Sequence, residues 1–177
     1  MPPFNHFTTK AKEAIRKAHE LAIERGQNHV NPLHLLTALI LQEESVVSSV
    51  LDRLDVDTIL LTDSLIEAIE GVDGGQTMSP SYQVYLTPEL ASLIEHSAKV
   101  AVELKDEFVS TEHLFIAALE VAGPARDLLI KFKLSKGQVL EVLEEVRSGN
   151  EDDAPVQKKF KSLTKYTRSL TKLAQAN

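Results

Sequence analysis

Apolar residues recur along most of this chain at steps of three and four positions, the spacing of one face of an α-helix. The first such stretch covers residues 9–25, and Gly26 stands where a glycine commonly ends a helix. Asn31 and Pro32 then supply an N-cap and a first-turn proline. The helix that they open, residues 33–42, is apolar on nearly every side, so we expect it at the centre of the core.

Six further helices follow from the same pattern, each opened by a capping residue, a proline or both. They are predicted over residues 45–54, 57–70, 87–104, 110–121, 125–132 and 135–147. A loop with three glycines and a proline separates the fourth helix from the fifth, at residues 71–83. Ser135 and Gln138 make a capping box for the last helix, which we expect to end at Arg147.

The second half of the chain repeats the first. At an offset of 79 positions the two halves share Thr8/Thr87, Ile15/Ile94, Ala22/Ala101, Glu24/Glu103, Val30/Val109, His34/His113, Leu35/Leu114 and Ala38/Ala117. Helix starts and breaks coincide as well, and similarity at a fixed period indicates repeated supersecondary units that bury a shared core. The sequence therefore predicts an all-α fold with two pseudo-symmetric four-helix repeats, about residues 8–70 and 87–147, packed as one domain over residues 1–147.

The C-terminal residues differ from the rest of the chain in composition. Residues 148–157 are polar and contain a proline, which predicts a flexible linker. Residues 158–177 follow as an amphipathic basic linker helix, with six basic and no acidic side chains. Because the net charge is −7, the remainder carries −13 and should repel nucleic acid phosphates. We expect no nucleic acid partner.

Composition narrows the chemistry further. Cysteine is absent, which excludes disulfides, thiolate metal sites and cysteine nucleophiles. No apolar run approaches the roughly 18–20 residues of a membrane span, and the N-terminus lacks the pattern of a secretory signal. We therefore expect a cytoplasmic protein without a membrane partner.

Motifs of catalysis are missing from the sequence. It contains no phosphate-binding P-loop, no nucleophile elbow, no metalloprotease histidine pair and no EF-hand. Its six histidines lack the helical pairing expected of metal ligands. We predict no enzyme activity, no catalytic residue and no metal site within these residues.

The repeated histidines and the acidic residues near the second one are the remaining candidates for function. We interpret His34 and His113 as structural residues that begin equivalent helices and bond a loop carbonyl or a cap. Asp106 and Glu112 replace Gln27 and Leu33 of the first repeat. Together with Glu107, they are either a catalytic carboxylate pair or negative charge at a helix N-terminus. Since no base or nucleophile accompanies them, a catalytic role is not favoured.

The doubled motif, "FTTKAKEAIRKAHELAIERGQNHVNPLHLLTAL" and then "DEFVSTEHLFIAAL", resembles the Clp N-terminal repeat domain family. That domain precedes the ATPase modules of Clp-type unfoldases. The segment "LTKYTRSLT" and the "PLHL" of the first repeat are similar to ClpB-type disaggregases. The resemblance covers about residues 4–147. It implies that an ATPase module, absent from these residues, follows the basic helix.

The resemblance implies a substrate-binding module that captures exposed hydrophobic segments of unfolded or aggregated proteins for threading by a hexameric motor. Carried over by position, the groove has polar edges and an apolar floor formed by Thr8, Val100, Asp106, Val109 and Glu112. His96 and His113 stand where some members carry leucine, which raises the hypothesis that protonation alters binding.

An adaptor-docking domain of a ClpC- or ClpA-like, peptidase-associated unfoldase is the alternative function. The resemblance also implies adaptor proteins as partners, a homohexamer of the full-length protein, and ATP and Mg²⁺ bound only in its ATPase modules. These residues alone are expected to be monomeric and to bind no cofactor.

Overall fold

The computed structural model describes residues 6–72 and 84–152. Within these ranges most residues lie in eight helices and only two short strands are present, which confirms the all-α prediction. The helices are α1 (Thr9–Glu24), α2 (Pro32–Leu41), α3 (Val46–Arg53), α4 (Thr58–Val72), α5 (Pro88–Glu103), α6 (Thr111–Glu120), α7 (Pro124–Lys131) and α8 (Lys136–Asp152). Two short strands, β1 (His29–Val30) and β2 (Tyr85–Leu86), lie between them.

Helix starts fall where the capping residues predict them. The hydroxyls of Thr8 and Thr87 accept hydrogen bonds from the third residue of α1 and of α5, at 3.1 and 3.2 Å. The Asn31 side chain accepts from the Leu33 N–H at 2.7 Å, and Ser45 caps α3 in the same manner. Each of these side chains satisfies a backbone N–H that has no partner inside its own helix.

Helix ends are equivalent in the two repeats. The four residues that follow the C-caps of α1, α3, α5 and α7 have positive φ angles of 58–69°. They are Gly26, Asp55, Lys105 and Lys133. This left-handed turn lets the next N–H bond back to the last helical turn, as in Gln27 N to Ala22 O and Asp106 N to Ala101 O, both 2.9 Å.

The last helix is longer than predicted. α8 continues to Asp152, so the prediction that residues 148–152 belong to a flexible linker is wrong. Extending an existing helix costs little, because each added residue gains one backbone hydrogen bond. The remaining predicted linker, the basic helix at 158–177 and residues 73–83 of the predicted loop lie outside the described residues. The described residues divide into two units, with the boundary between Val139 and Leu140. The domain boundary at residue 147 stays a prediction.

Extended segments of one repeat pair with extended segments of the other. β1, which follows α1, pairs in parallel with β2, which precedes α5. In the same way Phe7, which precedes α1, pairs with Val109, which follows α5. The Thr87 N–H donates to Val30 O at 3.0 Å, and the Thr8 N–H donates to Val109 O at 2.9 Å. Neither repeat satisfies these backbone groups by itself, so residues of both repeats form one folded unit.

The core is built around α2 and α6. Eight of the ten residues of α2 and nine of the ten residues of α6 are buried. α2 packs against α1 and α4, α6 packs against α5 and α7, and the two helices also contact each other. The prediction that the second helix is central is therefore confirmed, and it holds for its counterpart in the second repeat.

Phe115 and Phe108 provide a matched test of this core. Phe115 on α6 is 1% exposed, whereas Phe108 is 48% exposed. We expect Phe115→Ala to lower the free energy of unfolding by about 3–5 kcal/mol, because it removes a ring from a closed environment and leaves a cavity. Phe108→Ala should cost about 1 kcal/mol or less. Urea unfolding followed by circular dichroism measures both, and equal losses would contradict a core centred on α6.

Candidate functional site

His34 is a structural histidine at the start of α2. It is fully buried, and its Nδ1 accepts the Asn31 N–H at 3.0 Å. Because Nδ1 accepts a backbone proton, Nε2 carries the ring proton and donates it to Gln27 Oε1 at 2.7 Å. The Gln27 amide in turn donates to Ile69 O at 3.1 Å. The His34 ring thus joins the α1–α2 connection to α2. Gln27, its partner, links that connection to α4.

His113 repeats this arrangement with one change. Its Nδ1 accepts the Ser110 N–H at 2.8 Å, and its Nε2 donates to Asp106 Oδ2 at 2.7 Å. A carboxylate therefore occupies the place of the Gln27 amide. The structural interpretation of both histidines is confirmed. Their partners are the cap N–H and a loop side chain rather than a loop carbonyl.

Hydrogen bonds connect some of the predicted site residues to their neighbours. Thr8 is bonded to Val109 through the backbone, and Asp106 is bonded to α6 through His113. Glu112 lies in the first turn of α6 and is 8% exposed. Val109 and Val100 are 4% and 1% exposed, so both are core residues in this conformation. Contact between these five residues and a substrate stays a prediction.

A pocket of about 520 Å³ lies between the two repeats, at the start of α2, the start of α5 and the α6–α7 connection. Its lining is mostly apolar. The lining residues are His29, Asn31, Pro32, Leu33, Thr87, Glu89, Leu93, Ala118, Val121, Ala122, Gly123, Pro124 and Ala125. The sequence analysis did not predict this pocket. An available signal was the proline that begins α2, α5 and α7, the three helices that open onto it.

The pocket and the predicted groove are related by the internal repeat. At the offset of 79, Thr87 and Leu33 of the pocket correspond to Thr8 and Glu112 of the groove. Across the groove, Lys10 Nζ donates to Glu43 O and Glu44 O at 3.0 and 3.2 Å.

The side chain of Gln42 adds a further bond across the groove, donating to Lys10 O at 2.9 Å. Lys10 and Gln42 correspond to Glu89 and Val121 of the pocket. Neither a carboxylate nor a valine side chain can donate to a carbonyl at neutral pH, so the pocket lacks these closing bonds.

His96 belongs to a charged network on the second repeat. Its Nε2 lies 2.9 Å from Glu120 Oε1, and Lys136 Nζ lies 2.9 Å from Glu120 Oε2 and 3.3 Å from Glu103 Oε1. Burial opposes ionisation of Glu120, but the hydrogen bonds from Lys136 and His96 outweigh it and lower the pKa of Glu120 below its ordinary 4.5. The hydrogen bond to Glu120 raises the pKa of Lys136 above its ordinary 10.5, against the opposing effect of burial.

Residues 6–72 and 84–152 contain neither a metal-binding cluster nor a membrane-spanning helix. No group of three or more histidine, aspartate or glutamate side chains there is arranged to hold a metal ion. No helix in those ranges is both long and apolar enough to cross a membrane.

The doubled repeat and its pair of capping histidines match a known family. The sequence model of the family described as the Clp repeat (R) N-terminal domain matches residues 6–132 of this chain. The chain belongs to this family. A curated relative, the chaperone protein ClpB of Vibrio cholerae, is 32% identical over 97% of this chain and 20% of its own length. The chain therefore spans about a fifth of that relative.

Solved Clp N-domains share the fold. The Hsp104 N-terminal domain of Candida albicans superposes with a TM-score of 0.67 at 19% identity, covering 81% of this chain and 92% of that one. A ClpV N-domain in complex with a VipB peptide gives a TM-score of 0.58 at 21% identity, covering 71% and 78%. These similarities show that the helical double repeat is the Clp N-domain fold, as the sequence predicted.

The bond between Asp106 and His113 predicts an unequal effect of two substitutions. Asp106→Asn keeps an oxygen that accepts from Nε2, as the Gln27 amide does for His34, so its cost should stay below about 1 kcal/mol. Asp106→Ala leaves the buried ring N–H unpaired, and we expect a loss of about 1–3 kcal/mol. Thermal and urea unfolding measure both variants. Equal stability of the two would contradict the inferred hydrogen bond.

The lowered pKa of Glu120 predicts how its contribution depends on pH. The carboxylate stabilises the folded state above about pH 4.5 and loses this contribution as the pH falls through its lowered folded-state pKa. Glu120→Gln should therefore cost about 0.5–1 kcal/mol near pH 6 and almost nothing near pH 2. Glu95→Gln, an exposed change on α5, is the control for charge removal. A cost for Glu120→Gln that grows on acidification would contradict this assignment.

Proposed function

We propose that this chain is the substrate-binding N-terminal domain of an ATP-dependent protein disaggregase. It captures exposed hydrophobic segments of unfolded or aggregated proteins and presents them to a motor. The observation that carries the proposal is the similarity to ClpB over 97% of the chain, a span that makes up 20% of that relative.

The chemistry of the surface supports binding rather than catalysis. The pocket between the repeats is mostly apolar, and large apolar side chains such as Ile59 and Val102 are each 75% exposed. Apolar contact contributes about 25 cal/mol per Å² without requiring a particular partner geometry. Ordering a disordered ligand offsets much of that gain, so affinity for any one segment should be weak. Weak and unselective binding suits the capture of many unrelated chains.

The predicted groove provides the polar part of this proposal. Thr8, Asp106 and Glu112 would form its edge, and Val100 and Val109 its apolar floor. The carboxylates favour segments that also carry lysine or arginine, because they attract cationic side chains and repel acidic ones. In the conformation described here, reaching the two valines requires displacing the side chains that cover them.

The wider machine is also part of the proposal. The ATPase modules of the full-length protein would bind ATP and Mg²⁺ and assemble as a homohexamer in the cytoplasm. The domain itself would be monomeric and would bind neither nucleic acid nor a membrane. A tether to the motor raises the effective concentration of captured segments near the pore.

An adaptor-docking domain of a ClpC- or ClpA-like, peptidase-associated unfoldase is the second candidate function. The complex of a ClpV N-domain with a VipB peptide favours it, because that domain of the same fold takes one defined peptide. A dedicated partner would bind through one sequence-specific segment, and unfolded proteins of unrelated sequence would then not bind.

Binding to an unfolded model protein tests the proposal. We expect reduced casein to bind the chain with a Kd in the micromolar range or weaker, while a folded protein of similar charge does not bind. Glu112→Gln should weaken binding about two- to fivefold, because it removes one attractive charge from the edge of the groove. Isothermal titration calorimetry or fluorescence anisotropy measures the effect.

The variants of this experiment must separate binding from folding. Asp106→Asn is the suitable change at that position, since Asp106→Ala would also leave the His113 N–H without its partner. Thr8→Ser keeps the cap of α1, whereas Thr8→Ala removes it. If wild type binds no unfolded protein at any ionic strength, the disaggregase role fails and adaptor docking is favoured.

A further inference from the structure

We propose that the pocket between the repeats is a binding site for an extended polypeptide segment that carries a bulky apolar side chain with a lysine or arginine nearby. This inference rests on the proposed function, but it places the contact away from the predicted groove. The apolar side chain would enter the pocket, and the cationic one would lie against Glu89.

The N-terminus of α2 beside the pocket is a poor anion site. α2, α5 and α7 each begin with proline, which has no N–H to offer. At α2 the Leu33 N–H is bonded to Asn31 Oδ1, the Asn31 N–H to His34 Nδ1, and the His34 N–H to Asn31 O. The first turn of α2 therefore has no donor left for a phosphate or carboxylate. What it presents to the pocket is the apolar surface of Pro32 and Leu33.

The charge at the pocket favours a cation near its rim. Glu89, at the second position of α5, is exposed and is the only lysine, arginine, aspartate or glutamate among the lining residues. The lining contains no lysine or arginine. An apolar side chain next to a basic one complements this surface.

The internal repeat shows how the pocket differs from the equivalent part of the first repeat. There, Lys10 and Gln42 form hydrogen bonds between α1 and the α2–α3 connection. Glu89 and Val121 take their places at the pocket and cannot form those bonds. Glu89 thus has two effects, since it removes a bond across the junction and supplies a negative charge.

Titration with short blocked peptides tests the site. The probe contains one leucine and one lysine in a background of glycine and serine, and matched peptides replace leucine by alanine or lysine by glutamate. We expect ¹H–¹⁵N chemical-shift changes at His29, Thr87 and Val121 with the leucine–lysine peptide, and much smaller ones with either matched peptide. Shifts confined to residues around Thr8 and Glu112 would overturn the assignment.

Substitutions that place the residue types of Lys10 and Gln42 at positions 89 and 121 extend the test. Glu89→Lys should weaken the leucine–lysine peptide about two- to fivefold, whereas Glu95→Lys, an equal charge change on the exposed side of α5, should not. Glu89→Lys combined with Val121→Gln recreates the closing pair and should reduce affinity about tenfold or more, because the apolar surface is no longer accessible. Thermal unfolding checks that each variant is folded, and the shift map of the wild type stands independently of the variants.

The outcomes separate this inference from the function on which it rests. If casein and the leucine–lysine peptide both fail to bind wild type, the proposed function and the site fall together. If casein binds wild type but the leucine–lysine peptide shifts none of His29, Thr87 and Val121, the disaggregase role survives and the pocket assignment is wrong. Inorganic phosphate that shifts the same amides at lower concentration than the peptide would also overturn it.

Discussion

The backbone pairing between the two repeats is the constraint on which the rest of the structure depends. The Thr8 N–H bonds to Val109 O and the Thr87 N–H to Val30 O, so each repeat completes the hydrogen bonding of the other. These contacts fix the starts of α1 and α5 against the starts of α6 and α2. Both the predicted groove and the pocket lie at these junctions, so the same few hydrogen bonds that join the repeats also shape the two candidate binding surfaces.

The buried histidines add a second level of order to the same junctions. Each ring occupies the third position of its helix and accepts the N-cap N–H, while its other nitrogen donates to the loop before it. The partner is the Gln27 amide in one repeat and the Asp106 carboxylate in the other. A polar network fully paired within the core specifies one loop conformation, and an unpaired member would cost about 1–3 kcal/mol. The Asp106 carboxylate is thereby held in the second repeat at the place of the neutral Gln27 amide of the first.

Divergence between the copies gives a symmetric scaffold two different faces. The second repeat has Glu89 and Val121 where the first has Lys10 and Gln42. Only the first pair donates hydrogen bonds across its junction. The fold tolerates this change because the positions lie outside the core formed by α2 and α6. A duplicated domain can in this way keep its internal packing while the bonds across its two equivalent junctions differ.

The sequence by itself determined the helices, their caps and the duplication, because these depend on local spacing and on residues such as Asn31, Thr87 and Gly26. It did not determine how far α8 extends, since Gly149, a residue type that commonly ends a helix, lies inside α8. It also could not show that Val100 and Val109 are buried, that Asp106 is bonded to His113, or that a pocket opens beside Glu89. Those features require segments far apart in the chain to meet, and only the tertiary structure decides which side chains lie across each junction.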